Sequence, residues 1–433
     1  MMTHVGTMCA TPQADSPVLD AAQNLSIGTS PKSFTSISIT LCAGLALLIL
    51  LIGCEPKQRI DHLKVGRQQL LNSGLAVDAI KHLKQAEIDE LDKAPPRVLL
   101  VLAYTHGLST GVAKAQGLEP EFESERTQRL AALGKEEMEY LLEVLVRRSR
   151  LQKDAMQVVV DKGVDAFPVL IDALGQADFL SLHGDIIEMM YQIGSDGIGL
   201  MVDAIRNDNT TTEVRIALVR LIGRIGEPQG LDDLETIRSE TDDAGLRMEI
   251  SVTLYRLGKD EYSTAIIEGL IHDDVNVRRA SVRAMTHLSN YPVGKLVESL
   301  QDTDDQVVTY AAEAFQAQPD AQAVASLAKV LTGTADNVAK QAASKALRTH
   351  AEKKLARGLS TQLIKALISG EIVNAEDRLR IVQLLRKEPL TQQIKITTLV
   401  NPQLVYDLDQ YLKQTETQEI VKGELRKLLS QVE

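Results

Sequence analysis

Residues 214–258, VRIALVRLIGRIGEPQGLDDLETIRSETDDAGLRMEISVTLYRLG, hold one complete unit of a pattern and half of the next. Apolar Val214, Ala217, Leu218, Leu221, Ile222 and Ile225 recur at the helical period, and Gly226 ends the run. Leu231, Leu234 and Ile237 mark a second helix, after which Asp242 and Asp243 open an acidic turn. Acidic residues there suit a helix N-cap and favour the positive end of the next helix dipole. The stretch therefore predicts a helical hairpin.

The hairpin recurs. Glycines that end first helices fall at Gly163, Gly194, Gly226 and Gly258, with Ser289 in the fifth slot, at spacings of 31, 32, 32 and 31. A second marker, at the start of each first helix, runs Val214, Leu246, Val277, Val308 and Val338, at 32, 31, 31 and 30. Two markers holding one period predict about seven units over residues 150–369. No hairpin of this length can bury its apolar face alone, so the expected fold is all-α, an α-solenoid of stacked hairpins.

Val-Arg opens two of these first helices, with Ala two residues after the Arg: Val214-Arg215-Ile216-Ala217 and Val277-Arg278-Arg279-Ala280. Leu246-Arg247 keeps only the Arg, and Val308 and Val338 lack it. The pattern resembles HEAT repeats of the short, phycobilisome-lyase-like type. That resemblance implies a protein-binding surface, and as an alternative a lyase-like or chaperone-like role on a cofactor-bearing partner.

Four regions are expected: a leader at 1–53, a helical region at 54–149, the array at 150–369 and a helical cap at 370–433. In the second of these, LNSGLAVDAIKHLKQA (71–86) places Gly74, Ala79, Leu83 and Ala86 at spacings of 5, 4 and 3. This resembles the core of a tetratricopeptide repeat, with Arg67 where the first helix would carry a small residue. Residues 107–124 read as loop, and 127–150 as one long helix feeding the array. EDRLRIVQLLRK (376–387) and PQLVYDLDQYLKQ (402–414) read as helices that close its far end.

Composition agrees with helices. Of 433 residues 44% are apolar, yet aromatics make up 3% and Trp is absent, which disfavours a β-sandwich or barrel. The net charge of −12, without a basic block, argues against a nucleic-acid partner. The only cysteines are Cys9, Cys42 and Cys54, so the repeat region has no disulfide or thiolate metal site. The scattered histidines lack the i, i+4 pairing of a helix-borne metal site, and no metal or cofactor is expected.

The leader carries the clearest chemistry. No charge occurs between Lys32 and Glu55, and Leu41 to Gly53 is an unbroken apolar run of 13 residues. That is signal-like in length rather than spanning. It ends in Leu51-Ile52-Gly53-Cys54, which resembles a bacterial lipobox: aliphatic at −3, small at −1, then the cysteine. The resemblance implies diacylglyceryl attachment at Cys54, cleavage before it and acylation of the new amino terminus. Several acyl chains hold what one alone would hold only marginally. Against the pattern, the stretch from Phe34 into the run is preceded by 33 residues that carry Lys32 against Asp15 and Asp20. A late true start or an uncleaved single-pass anchor in the inner membrane are the readings this leaves open, beside a buried core helix. Glu55 is not the Asp that retains many lipoproteins at the inner membrane, so an outer membrane is expected where the host has one. Five extended residues between Cys54 and Ile60 reach roughly 17 Å, which would keep the folded body close to the bilayer.

Two sets of residues are candidate functional positions. Asp172, Asp203, Glu235, Glu268 and Glu298 recur at 31, 32, 33 and 30 on second helices, an acidic stripe that ends at Lys329. It is a candidate binding face for a basic or hydrogen-bonding protein, or simply an exposed helix position that tolerates Glu. Arg215, Arg247 and Arg278 are expected to be structural, bonding acidic turns between units. Neither the HGDIIE cluster (His183, Asp185, Glu188) nor GLSTG (107–111) has the spacing or flanking strand of a catalytic motif. The sequence thus predicts a non-catalytic, lipid-anchored scaffold at the cell envelope.

Overall fold

The computed structural model describes residues 60–432 apart from 74–75, 91–92, 289–290 and 371, and Asp61–Glu433 forms one compact unit. Every regular element among the described residues is helical, and the chain is an α-solenoid. First helices run Gln152–Lys162, His183–Ile193, Thr212–Ile225, Ala244–Arg256, Val275–Ala284, Asp305–Ala317 and Asn337–Glu352. Their partners are Phe167–Leu174, Ile198–Arg206, Leu231–Glu240, Ser263–Glu268, Val293–Ser299, Val324–Thr332 and Leu359–Ile368. Successive first helices pack against one another. Among second helices Ile198–Arg206 meets Phe167–Leu174 and Leu231–Glu240, and Val324–Thr332 meets Leu359–Ile368. Val293–Ser299 meets the short turns Gly269–Ile271 and Ala321–Ala323 on either side.

Side-chain caps set the register. Thr211, Asp243, Asp274, Asp304 and Asp336 each accept a hydrogen bond from a backbone N–H two or three residues on, satisfying an amide the helix leaves free. Three residues after each cap sits a buried apolar residue: Val214, Leu246, Val277, Val307 and Ala339. The marker expected at Val308 and Val338 therefore shifts by one in the last two units. Val338 is 58% exposed, because the cap at Asp336 turns Ala339 inward instead. Gly163, Gly194, Gly226 and Gly258 all have positive φ, the backbone their side-chain-free position permits; Ser289 lies outside the described residues. After the seventh first helix the same left-handed turn is made by Lys354, at φ 61°.

The front of the body differs from its sequence reading in two places. Residues 107–124 are helical: Ala94–Ser109 ends there, Val112–Ala115 is a short turn of helix, and Glu119–Ala132 begins. Gly107 sits inside its helix because the Phe122 ring rests where a Cβ would be, 2.5 Å away, and Phe122 in turn meets Tyr104 edge-on. The expected long helix over 127–150 is two helices, Glu119–Ala132 and Lys135–Val146. Leu133 turns extended and buried, and Glu137 accepts from the Gly134 N–H at 3.0 Å to restart the chain. Ala94–Ser109 is buried on nearly all sides, as the unbroken apolar run from Val98 to Ala103 demands. In the first pair the close approach is made by Gly66 against Leu83, one residue before Arg67; Gly74 lies outside the described residues.

The far end closes on Ala375–Leu385, Leu390–Val400, Gln403–Gln414 and Glu419–Val432. Glu416 is buried there and accepts from Arg378 Nε (2.8 Å), Tyr411 Oη (3.0 Å) and the Gln418 N–H (2.9 Å). Burial opposes its charge, but Arg378, the Gln418 amide and Tyr411 together hold its carboxyl below the usual range. Burial first, and then the bond to Glu416, push the Tyr411 phenol up to about 12. A phenol raised from 10 favours the folded state fully below pH 10 and loses that contribution as pH climbs to about 12. Unfolding free energy should therefore fall by about 2 kcal/mol more across pH 10–12 in the native chain than in Tyr411→Phe. Chemical denaturation at pH 9, 10, 11 and 12 checks the difference.

Candidate binding surface

The acidic set lies where one second-helix position recurs. Asp172, Asp203, Glu268, Glu298 and Lys329 are each the sixth residue of their helix, and Glu235 the fifth. Their neighbours along the helix, such as Leu170, Ala173, Val202 and Ile205, are buried, so this position points outward. The structure divides the set by pairing. Asp172 meets Lys135 at 3.0 Å and Glu235 meets Lys259 at 2.8 Å, and these carboxylates raise both lysine ammonium groups above their usual value. Asp203, Glu268 and Glu298 are exposed and form no ion pair among the described residues.

The arginine set lies on first helices, four residues after each cap. Arg215 donates to the Asn207 carbonyl at 2.7 Å and Arg247 to the Thr241 carbonyl. Arg278 does most: it donates to the His272 and Asp273 carbonyls at 2.9 Å and reaches Asp302 of the following unit at 2.7 Å. The guanidinium thus satisfies carbonyls of the turn entering its own helix, and Arg278 alone also links two units. Arg378 is a fourth member that the repeat alignment misses, bonding the Ile372 carbonyl at 3.2 Å and Glu416 beyond. The signal was present: Asn374, a capping residue, precedes it by four.

A buried seam crosses the same row of helices. Glu249 is 2% exposed and accepts from Arg220 on the helix before (Nε 3.1 Å) and from Arg283 on the helix after. Burial, with the charges of Arg220 and Arg256, outweighs Glu249 and lowers the Arg283 pKa from its ordinary value. One carboxylate between two cations ties three successive units together.

Residues 263–348 match the HEAT repeat family model. The match lies inside the repeat array and carries no enzyme family with it. Among curated proteins none is significantly similar. The chain is also similar to the crystal structure of an engineered protein, a structural genomics target, at 15% identity. That alignment covers 86% of this chain and 99% of the other with a TM-score of 0.30.

Among the described residues, the polar clusters singled out in the sequence form side-chain pairs. Asp154 accepts from Ser109 Oγ and bonds His106 Nδ1, each at 2.7 Å. The carboxylate, not the imidazole, is central, so the order differs from a triad in which a histidine lies between hydroxyl and carboxylate. Asp185 meets Gln152 at 3.4 Å, while Glu188 pairs with Arg224 at 2.7 Å and its carboxyl is lowered by that contact. Thr110 turns its hydroxyl back to the His106 carbonyl at 2.6 Å. Leu51, Ile52, Gly53 and Cys54 lie outside the described residues. Among the described residues no helix is long and apolar enough to cross a membrane.

These geometries rank two substitutions. Arg278→Met removes charge-assisted bonds that are partly solvated and should lower unfolding free energy by about 1–2 kcal/mol. Glu249→Ala leaves two guanidiniums facing each other without a counter-charge and should lower it by about 3 kcal/mol. Urea unfolding of both variants gives the order; an Arg278 loss exceeding the Glu249 loss would contradict it.

Proposed function

We propose that the protein is a non-catalytic scaffold that binds other proteins through its row of second helices, held at the cell envelope by lipid on Cys54. The observation that carries the binding surface is the recurrence of Asp203, Glu268 and Glu298 at one exposed, unpaired position of the repeat. A stack of rigid hairpins presents such charges without further ordering, which keeps the entropy lost on association small. The partner fitting this face offers basic or hydrogen-bonding groups at a similar repeat. Support for the tether is the lipobox-like Leu51-Ile52-Gly53-Cys54 at the end of an apolar run. In this reading the helices from His62 to Ser109 serve as a tetratricopeptide-like front end between tether and array.

Affinity purification from detergent-solubilised membranes tests the surface. Replacing Asp203, Glu268 and Glu298 together by Lys should cut recovery of co-purifying proteins at least about tenfold at unchanged thermal stability. Equal recovery would remove the second-helix face as the binding surface. The tether is tested separately by metabolic labelling with a fatty-acid analogue. Label should be present in the native chain and lost in Cys54→Ser.

A further inference from the structure

At the start of the folded body a cavity of about 500 Å³ is lined by Lys64, Arg67, Gln68, Leu71, Arg147 and Ser149. Lys64 and Arg67 come from the first described helix, His62–Gln68, and Arg147 from the end of Lys135–Val146. Three of the six lining residues are cations and none is a carboxylate. Two other surface cavities mix charges, Glu139, Glu143 and Asp178 with Arg147 in one and Asp302 and Asp305 with Lys329 in another. A further one near the far end holds Lys354 and Arg357 without a carboxylate. Two carboxylates lie close by: Asp61 caps the Lys64 backbone N–H at 2.9 Å, and Glu143 reaches Arg147 only at 4.0 Å with both side chains about half exposed, a weak pairing. Arg148 and Arg150 extend the basic character along the same exposed turn, and Val146 beside them is 37% exposed.

Position in the chain selects the ligand. Lys64 follows Cys54 by ten residues, and the five between Cys54 and Ile60 reach roughly 17 Å when extended. A body tethered so shortly brings whichever groups it carries near Lys64 to the headgroup layer. Guanidinium and ammonium groups recognise phosphate by charge-assisted hydrogen bonds, and a basic surface near a bilayer is attracted to anionic lipid. We propose that this cavity binds the phosphate of an anionic phospholipid headgroup and so fixes how the body sits on the membrane. The proposal rests on the tether at Cys54 for its ligand, and on the cavity for its residues.

The full chain, purified in detergent and mixed with an excess of lipid nanodiscs, provides the test. Discs of phosphatidylcholine alone are compared with discs containing phosphatidylglycerol, and amide hydrogen exchange is followed by mass spectrometry. Exchange across His62–Gln68 and 146–150 should slow only with phosphatidylglycerol, and the effect should vanish in 0.5 M salt at about the screening expected of exposed charges. Lys64→Glu, Arg67→Glu and Arg147→Glu together should weaken binding to anionic discs on the order of 100-fold. All three side chains are at least partly exposed, and an unchanged melting temperature confirms that the variant folds. Equal exchange with both kinds of disc overturns the proposal, whichever way the tether falls. So does the same protection from inorganic phosphate or a DNA duplex without lipid, which would make the site a general anion site. Co-purification with phosphatidylcholine discs reports the tether alone. A chain that fails that step but is protected by phosphatidylglycerol keeps the headgroup site and loses the anchor.

Discussion

A hairpin of about thirty residues has too little apolar surface to fold by itself, and the structure depends on each hairpin lending its face to the next. Burial shows this directly. One apolar cluster runs from Leu70 to Leu254 and a second from Val252 to Val432, and partly buried Tyr262 touches both. Among the described residues no separate centre gathers distant units. A cavity opened at one junction therefore weakens two neighbours first, and the ends need special closure. The far end meets that need with an ion cluster as well as apolar side chains, placing buried Glu416 between Arg378 and Tyr411.

Polar groups at the turns make the stacking specific. Every first helix from Thr212 to Asn337 begins behind a side-chain cap. Four residues later, three of these helices place an arginine that folds back onto the turn carbonyls. The cap satisfies amides and the arginine satisfies carbonyls, so the turn between units is closed from both sides. In the sixth unit the arginine position is Val308, and in the seventh it is Lys340, which reaches Asp377 at 2.6 Å. Lys340 thus links to the element ahead, as Arg278 does through Asp302, whereas Arg215 and Arg247 bond only the turn entering their own helix.

Much of the array could be read from the sequence because its signals are local. A glycine at positive φ, an Asp before an apolar run and a 3.6-residue stripe are all contained within a few residues. What was not legible depends on distant contacts. Gly107 reads as a breaker until the Phe122 ring is seen to occupy its missing Cβ. Leu133-Gly134 reads as helix until Glu137 is seen to cap a new start. The shift of the apolar marker to Val307 and Ala339 came from alignment on residue type, Val, where the cap was the better guide. Of the candidate positions, the acidic recurrence was visible, but not that Lys135 and Lys259 pair with two of its members. Those lysines sit 37 and 24 residues from their partners, beyond any local pattern.

The Arg220–Glu249–Arg283 seam answers a problem that apolar packing leaves open. First helices with similar stripes present similar surfaces, and an Ala, Leu or Val contact tolerates a wrong neighbour at little loss. A carboxylate that is 2% exposed does not tolerate it, because an unmet buried charge is far more costly than an imperfect apolar fit. Glu249 needs a guanidinium from the helix on each side, and Arg220 and Arg283 supply them. Exchanging the order of units would leave that acid with one partner or none. The buried charges thus bear more on which hairpin follows which than on total stability, where apolar side chains of equal volume would serve as well.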